Sequence, residues 1–210
     1  MIAAGSLEYA FARMQSRLSR RPSEGAWAAI EEARTLAPIV DAARGTSLET
    51  MLAALPPQPG LPDVDLAART AWARTVDEAA GWMPPAWRPA LAWCKAQPGD
   101  EARAKPHPTL LPSLAHPEWR RLWPAGTGDP GLADLARRVE AHLARFRLAP
   151  PHEATGLRRA FEDGLLAFFR RHPVAPSAAF AWLALAALDL ERLRGEIARR
   201  LAFPEARIAA

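Results

Sequence analysis

Apolar positions recur at helical spacing along almost the whole chain, most clearly from Pro176 to Leu201. Ala178 to Leu188 is apolar all round, the pattern of a helix buried on every side. Beyond it the stretch turns amphipathic. Leu190, Leu193, Ile197 and Leu201 recur at i, i+3, i+7 and i+11, while Glu191, Arg192, Glu196 and Arg199 lie off that stripe. At about 1.5 Å per residue this helix is roughly 36–39 Å long and crosses a domain. It reads as a central post on which the other helices pack.

The same spacing organises the rest. Leu7, Phe11, Met14 and Leu18 form the stripe of a first helix over Ser6–Ser19, with Arg13, Arg17, Arg20 and Arg21 toward another face. Pro22 ends it, and Ser23 is the candidate N-cap of a second helix carrying Trp27 and Ile30 inward. Thr35 caps a short third helix to Arg44, and Gly45 suits the left-handed position after it. Thr46 and Glu49 have the spacing of a capping box, which predicts a helix over Thr46–Leu55. Pro56 to Pro62 reads as a surface connection, and Asp63 as the cap of a helix to Gly81.

A turn at Trp82–Trp87 leads to a shorter helix through Cys94. Gln97–Pro112 is rich in proline and polar residues and is the expected site of first proteolytic cleavage. After it, Asp129-Pro130 has the form of a cap followed by proline at the first helical position. Leu132, Leu135 or Ala136, Val139, Leu143 and Phe146 point one helix inward; Leu157, Phe161, Leu165 and Phe168 do so for the next. A last turn opens at Phe203-Pro204 and ends at Ile208. The expected fold is all-α: a bundle of long and short helices, funnel-like or two-lobed, around the long C-terminal helix. It is read as one helical domain over 1–210, open to division near 97–112.

Composition sharpens this picture only in places. The 27 basic and 23 acidic residues leave a formal charge of +4 over 210 residues, too small to point to nucleic acid. The single cysteine, Cys94, excludes an intrachain disulfide framework and fits a reducing compartment. The longest uncharged apolar run, Ala178–Leu188, is far short of the roughly 18–20 residues of a membrane span. No signal-peptide pattern opens the chain, so a cytoplasmic protein is expected.

Candidate chemistry is sparse. Cys94, His107, His116 and Glu118 match no zinc spacing, and both histidines sit beside prolines as loop or cap residues. Cys94 beside Trp93 reads as a small buried hydrophobe rather than a nucleophile paired with His142 or His172. Glu31-Glu32 and Glu162-Asp163 are adjacent on helices and do not converge. Trp72, Trp82, Trp87, Trp93, Trp119 and Trp123 lie mostly beside proline and alanine, as core packing rather than a base-stacking platform. The expectation is a non-enzymatic interaction protein with no cofactor, metal or small-molecule substrate. Its candidate partner-binding residues are Arg13 and Arg17 on the first helix and Glu191 and Arg194 on the last.

The two ends resemble a known family. Tyr9-Ala10-Phe11-Ala12-Arg13, continuing to Leu18, then Trp27–Ile30 and Leu36–Thr46, is similar to the opening of the C/d family of V/A-type ATPase proteins, the non-catalytic components that carry the letter C in archaeal and bacterial enzymes and d in vacuolar ones. Phe161–Leu166, Pro176–Leu188, Asp189–Arg194 and Pro204–Ile208 resemble that family's closing helices, with Arg192 where the family has Asn. The resemblance covers about half the chain and is to a divergent, shortened form. It implies a non-catalytic socket between the membrane rotor ring and the central shaft, held peripherally at the membrane through protein. The alternative of another class is a free-standing helical adaptor or regulator that binds a protein or nucleic acid.

Overall fold

The computed structural model describes residues 4–95 and 111–203, with 112, 113 and 151 described in backbone only. The fold is all-α, and no strand occurs among the described residues. The helices are α1 (Leu7–Leu18), α2 (Glu24–Glu32), α3 (Leu36–Ala43), α4 (Glu49–Leu52), α5 (Leu61–Trp82), α6 (Arg88–Lys95), α7 (Pro112–Ala115), α8 (Pro117–Arg121), α9 (Pro130–Leu148), α10 (Pro151–Arg171) and α11 (Pro176–Ala202), with a 3-10 turn at Pro85–Trp87. Two compact units form: Met1–Gln15 with Thr75–Leu188, and Ser16–Arg74 with Asp189–Ala210. The division falls within α1, α5 and α11. Residues 96–110, which hold most of the proline-rich stretch, and the last turn from 204 on lie outside the described residues.

In the first unit the uniformly apolar half of α11 is core. Ala178 through Leu185 are all buried, as the absence of a polar face requires. Phe180, fully buried, meets Trp87 at 5.8 Å and Trp119 at 4.9 Å between ring centroids. Trp119 in turn meets Trp123 edge-on at 5.1 Å. Of the middle tryptophans expected to pack, Trp72, Trp82, Trp87 and Trp119 are buried, whereas Trp93 and Trp123 are half-buried. α1 joins this core from two sides. Phe11 stacks on Phe169 of α10 at 4.9 Å, and Ala10 and Met14 are buried beside Ala178 and Ala179.

One carboxylate starts two helices of this unit. Asp129 Oδ1 accepts from Gly131 N at 2.8 Å, capping α9, and Oδ2 accepts from Ser177 N at 2.8 Å, capping α11. Both amides are among those a helix leaves unpaired, and the negative charge sits at two positive helix ends. Gly131 is required beside it: a Cβ there would lie 2.5 Å from Ser177 Oγ and 2.9 Å from Asp129 Oδ1. Asp129→Ala is expected to cost about 2–3 kcal/mol, more than a single cap, because two charge-assisted bonds are lost. Asp129→Asn should recover part of this, since its amide oxygen still serves one helix. Urea unfolding midpoints of the three proteins check both statements.

The second unit is built from short helices held by local caps. Ser23 accepts from Ala26 N at 3.1 Å, as its position predicts. Gly45 takes φ 74, the left-handed value expected after α3. Thr35 occupies the N-cap of α3 but makes no side-chain cap bond. The capping box at Thr46 does not form. Thr46 Oγ1 accepts from Leu48 N at 3.2 Å and donates to Ala43 O at 2.6 Å, while Glu49 reaches Gly45 N rather than Thr46 N. The hydroxyl thus bends the chain locally in competition with helix, and α4 shrinks to Glu49–Leu52. α5 begins at Leu61, two residues before Asp63, which instead accepts from Gly60 N at 2.8 Å. Pro62 is tolerated because it falls in the first turn, where its missing N–H has no partner to lose. Ile30, Ile39, Met51, Trp72 and Leu193 are the centre of this unit's core.

Candidate functional site

The candidate partner-binding residues fall into both units, with Arg13 in the first and Arg17, Glu191 and Arg194 in the second. Arg13 is exposed, and its guanidinium lies 5.6 Å from the centroid of the Trp82 ring. Arg17 and Glu191 are half-buried, each with an interaction of its own. Arg194 is turned inward onto Asp65 at 3.2 Å, with 15% of its side chain exposed, so it serves the fold of its own unit.

Arg194 is one of a row of cations that fasten the amphipathic half of α11 within the second unit. Asp189, only 2% exposed, receives Arg21 through Nε at 2.7 Å and Nη2 at 2.8 Å. Arg192 lies over Trp27 at 4.2 Å from the ring centroid and donates to Glu31. Arg200 donates to Ala33 O at 2.6 Å and to Glu31 O at 2.9 Å, capping the carbonyl end of α2. Periodicity does not reveal these contacts, because they join residues 129 to 169 positions apart. One signal is present in the chain: Asp189 follows an eleven-residue uncharged apolar run, where an acid needs a cation.

A second feature belongs to the first unit alone. α9 and α10 enclose a half-open groove of about 240 Å³. Arg138, Ala141, His142 and Arg145 form its α9 wall. Leu157, Ala160, Phe161, Gly164 and Leu165 form its α10 wall. Helical periodicity points Leu143 and Phe146 inward, yet both are only half-buried, and Leu157 and Phe161 are half-buried too. His142 fills that inward role instead. It stacks on Phe161 at 4.0 Å between centroids, with planes 6° apart. Burial, reinforced by the Arg158 charge, lowers its pKa to about 4, so the ring is neutral at pH 7.

The residues weighed for chemistry have structural places. Cys94 is buried, and its Sγ lies 3.4 Å from Ala90 O. His116 Nδ1 accepts from Glu118 N at 3.2 Å and caps α8. His172 stacks on Phe168 at 4.1 Å. His107 lies outside the described residues. Among the described residues no three His, Cys, Asp or Glu side chains group as a metal site would need, and no helix is long and apolar enough to cross a membrane. Compared with known proteins, the chain matches no family model, no curated protein and no solved structure.

Proposed function

We propose that this chain is a non-catalytic helical socket of the V/A-type ATPase C/d kind, which links a membrane rotor ring to a central shaft. One observation carries most of the support. The segments at the two ends that resemble the family are also physical partners: Arg192 of the closing motif lies over Trp27 of the opening one, and the arginine pairs with Glu31. The arginine that makes this contact stands where the family has Asn. On this reading the protein performs no chemistry and is held at the membrane through other proteins of the complex.

The exposed Arg13 is the cation offered to an acidic partner in this complex, and Arg17, half-buried and with an interaction of its own, is the second candidate on the same helix. Arg13→Glu with Arg17→Glu is expected to reduce recovery of the rotor-ring and shaft proteins several-fold at low salt. The deficit should narrow at high salt, where screening already weakens exposed attraction. Affinity purification from native membranes, with a thermal melt to confirm folding, measures this. Recovery of the wild-type protein only from the soluble fraction, without those partners, would reject the socket and favour a free-standing adaptor.

A further inference from the structure

We propose that the groove between α9 and α10 is a docking site for an acidic amphipathic helix of a partner protein. The inference does not depend on the rotary-ATPase reading. Its walls run from Arg138 to Arg145 and from Leu157 to Leu165, about 10–12 Å, or two turns of a third helix. The floor has open space where such a helix would place its apolar side chains. Ala160 is exposed, and a Cβ added at Gly164 would meet nothing within 4 Å. Apolar exposure continues one turn past Arg145 on the same stripe, where Leu148 is 87% exposed. An extended peptide is a poorer occupant, because two helices offer no backbone partners for its amides, whereas a helix brings its own hydrogen bonds satisfied.

Charge selects an acidic occupant. The two charged side chains in the lining are Arg138 and Arg145, and no carboxylate is among them. Arg138 is paired with Asp134 at 2.8 Å. Arg145 is exposed and has no ion pair or hydrogen bond among the described residues. Arg158, half-buried and with an interaction of its own, lies nearby, its guanidinium 5.8 Å from the Phe146 ring centroid. The neutral His142 leaves the apolar floor uncharged at pH 7. A partner helix with leucines at i, i+4 and i+7 and glutamates on the flank toward α9 matches both the floor and this wall.

The test uses the full chain and a fluorescent synthetic helix of about four turns with that leucine spacing and glutamate flanks. A twin peptide carries lysine in place of glutamate. Anisotropy titration should show the glutamate peptide binding at least about tenfold more tightly than its twin. Arg145→Glu should erase that preference. Gly164→Leu should abolish binding by filling the groove, while leaving the melting temperature unchanged or higher, since leucine is the better helix former. Hydrogen exchange should slow in 138–148 and 157–165 when the glutamate peptide binds. Equal affinity for the two peptides, no binding of either, or a Gly164→Leu protein that binds normally would each overturn the proposal. So would a wild-type dimer in sedimentation that Gly164→Leu converts to monomer, because the groove would then be covered by a second copy.

Discussion

Asp189→Ala is expected to destabilise the protein by about 3–5 kcal/mol, the range for breaking a buried ion pair by removing one partner. The Asp189 side chain is 3% exposed and that of Arg21 13%. Both guanidinium bonds are short and lie in parallel, at 2.7 and 2.8 Å, so the carboxylate gives a matched two-point contact. Alanine removes that contact and leaves the Arg21 charge in a largely desolvated position. Arg21→Ala should cost a similar amount, for the opposite reason: it strips the bidentate cation from a buried carboxylate. The double change Arg21→Met with Asp189→Leu should recover much of either loss, because apolar replacements of similar size carry no desolvation penalty. Urea unfolding followed by circular dichroism gives all four stabilities, and the cycle isolates the pair. A single-mutant loss below about 1 kcal/mol would show that solvent reaches the pair far more freely than its burial implies.

The features legible in the sequence are those fixed within a turn or two of chain. The uniformly apolar run Ala178–Leu188 announces burial, and the stripe of Leu190, Leu193 and Ile197 announces the face that is buried beyond it; all three are buried. Ser23 and His116 behave as caps because each needs only an amide two or three residues ahead. Thr46 fails by the same logic. Its hydroxyl has two local options, and the turn with Ala43 and Leu48 wins over the helix start. Asp129 is half legible. Its bond to Gly131 is local, whereas its bond to Ser177 spans 48 positions and depends on where α11 arrives.

The candidate sites are less legible for the same reason. Arginine spacing on a helix identifies a basic face but does not say whether that face meets solvent or the same chain. Arg13 is exposed, while Arg194 closes on Asp65 and Arg192 on Trp27 and Glu31. The α9–α10 groove is hidden in the sequence by the stripe expected to fill it. Leu157 and Phe161 continue the periodicity of Leu165 and Phe168, yet only the last two are buried. A stripe records which side of a helix is apolar, and the splay of its neighbour decides how much of that side is covered.

Phe180→Ala is expected to cost about 3–5 kcal/mol, the usual range for emptying a buried aromatic site. Phe180 is fully buried, and its ring contacts both Trp87 and Trp119. The site is poorly placed to collapse. Its helix neighbours Ala178, Ala179, Ala181 and Ala184 are buried and too short to reach into the space, and the two indoles are large planar groups held by their own packing. The cost therefore includes the lost transfer energy, a cavity, and two aromatic contacts of about 0.5–1.5 kcal/mol each. Phe180→Leu keeps most of the volume and should cost roughly half as much or less. Near-ultraviolet circular dichroism should lose tryptophan signal in the alanine variant while far-ultraviolet helicity is retained below the transition. An alanine variant within about 1 kcal/mol of wild type would mean that the tryptophans close over the space, and that the core of the first unit is not organised around this ring.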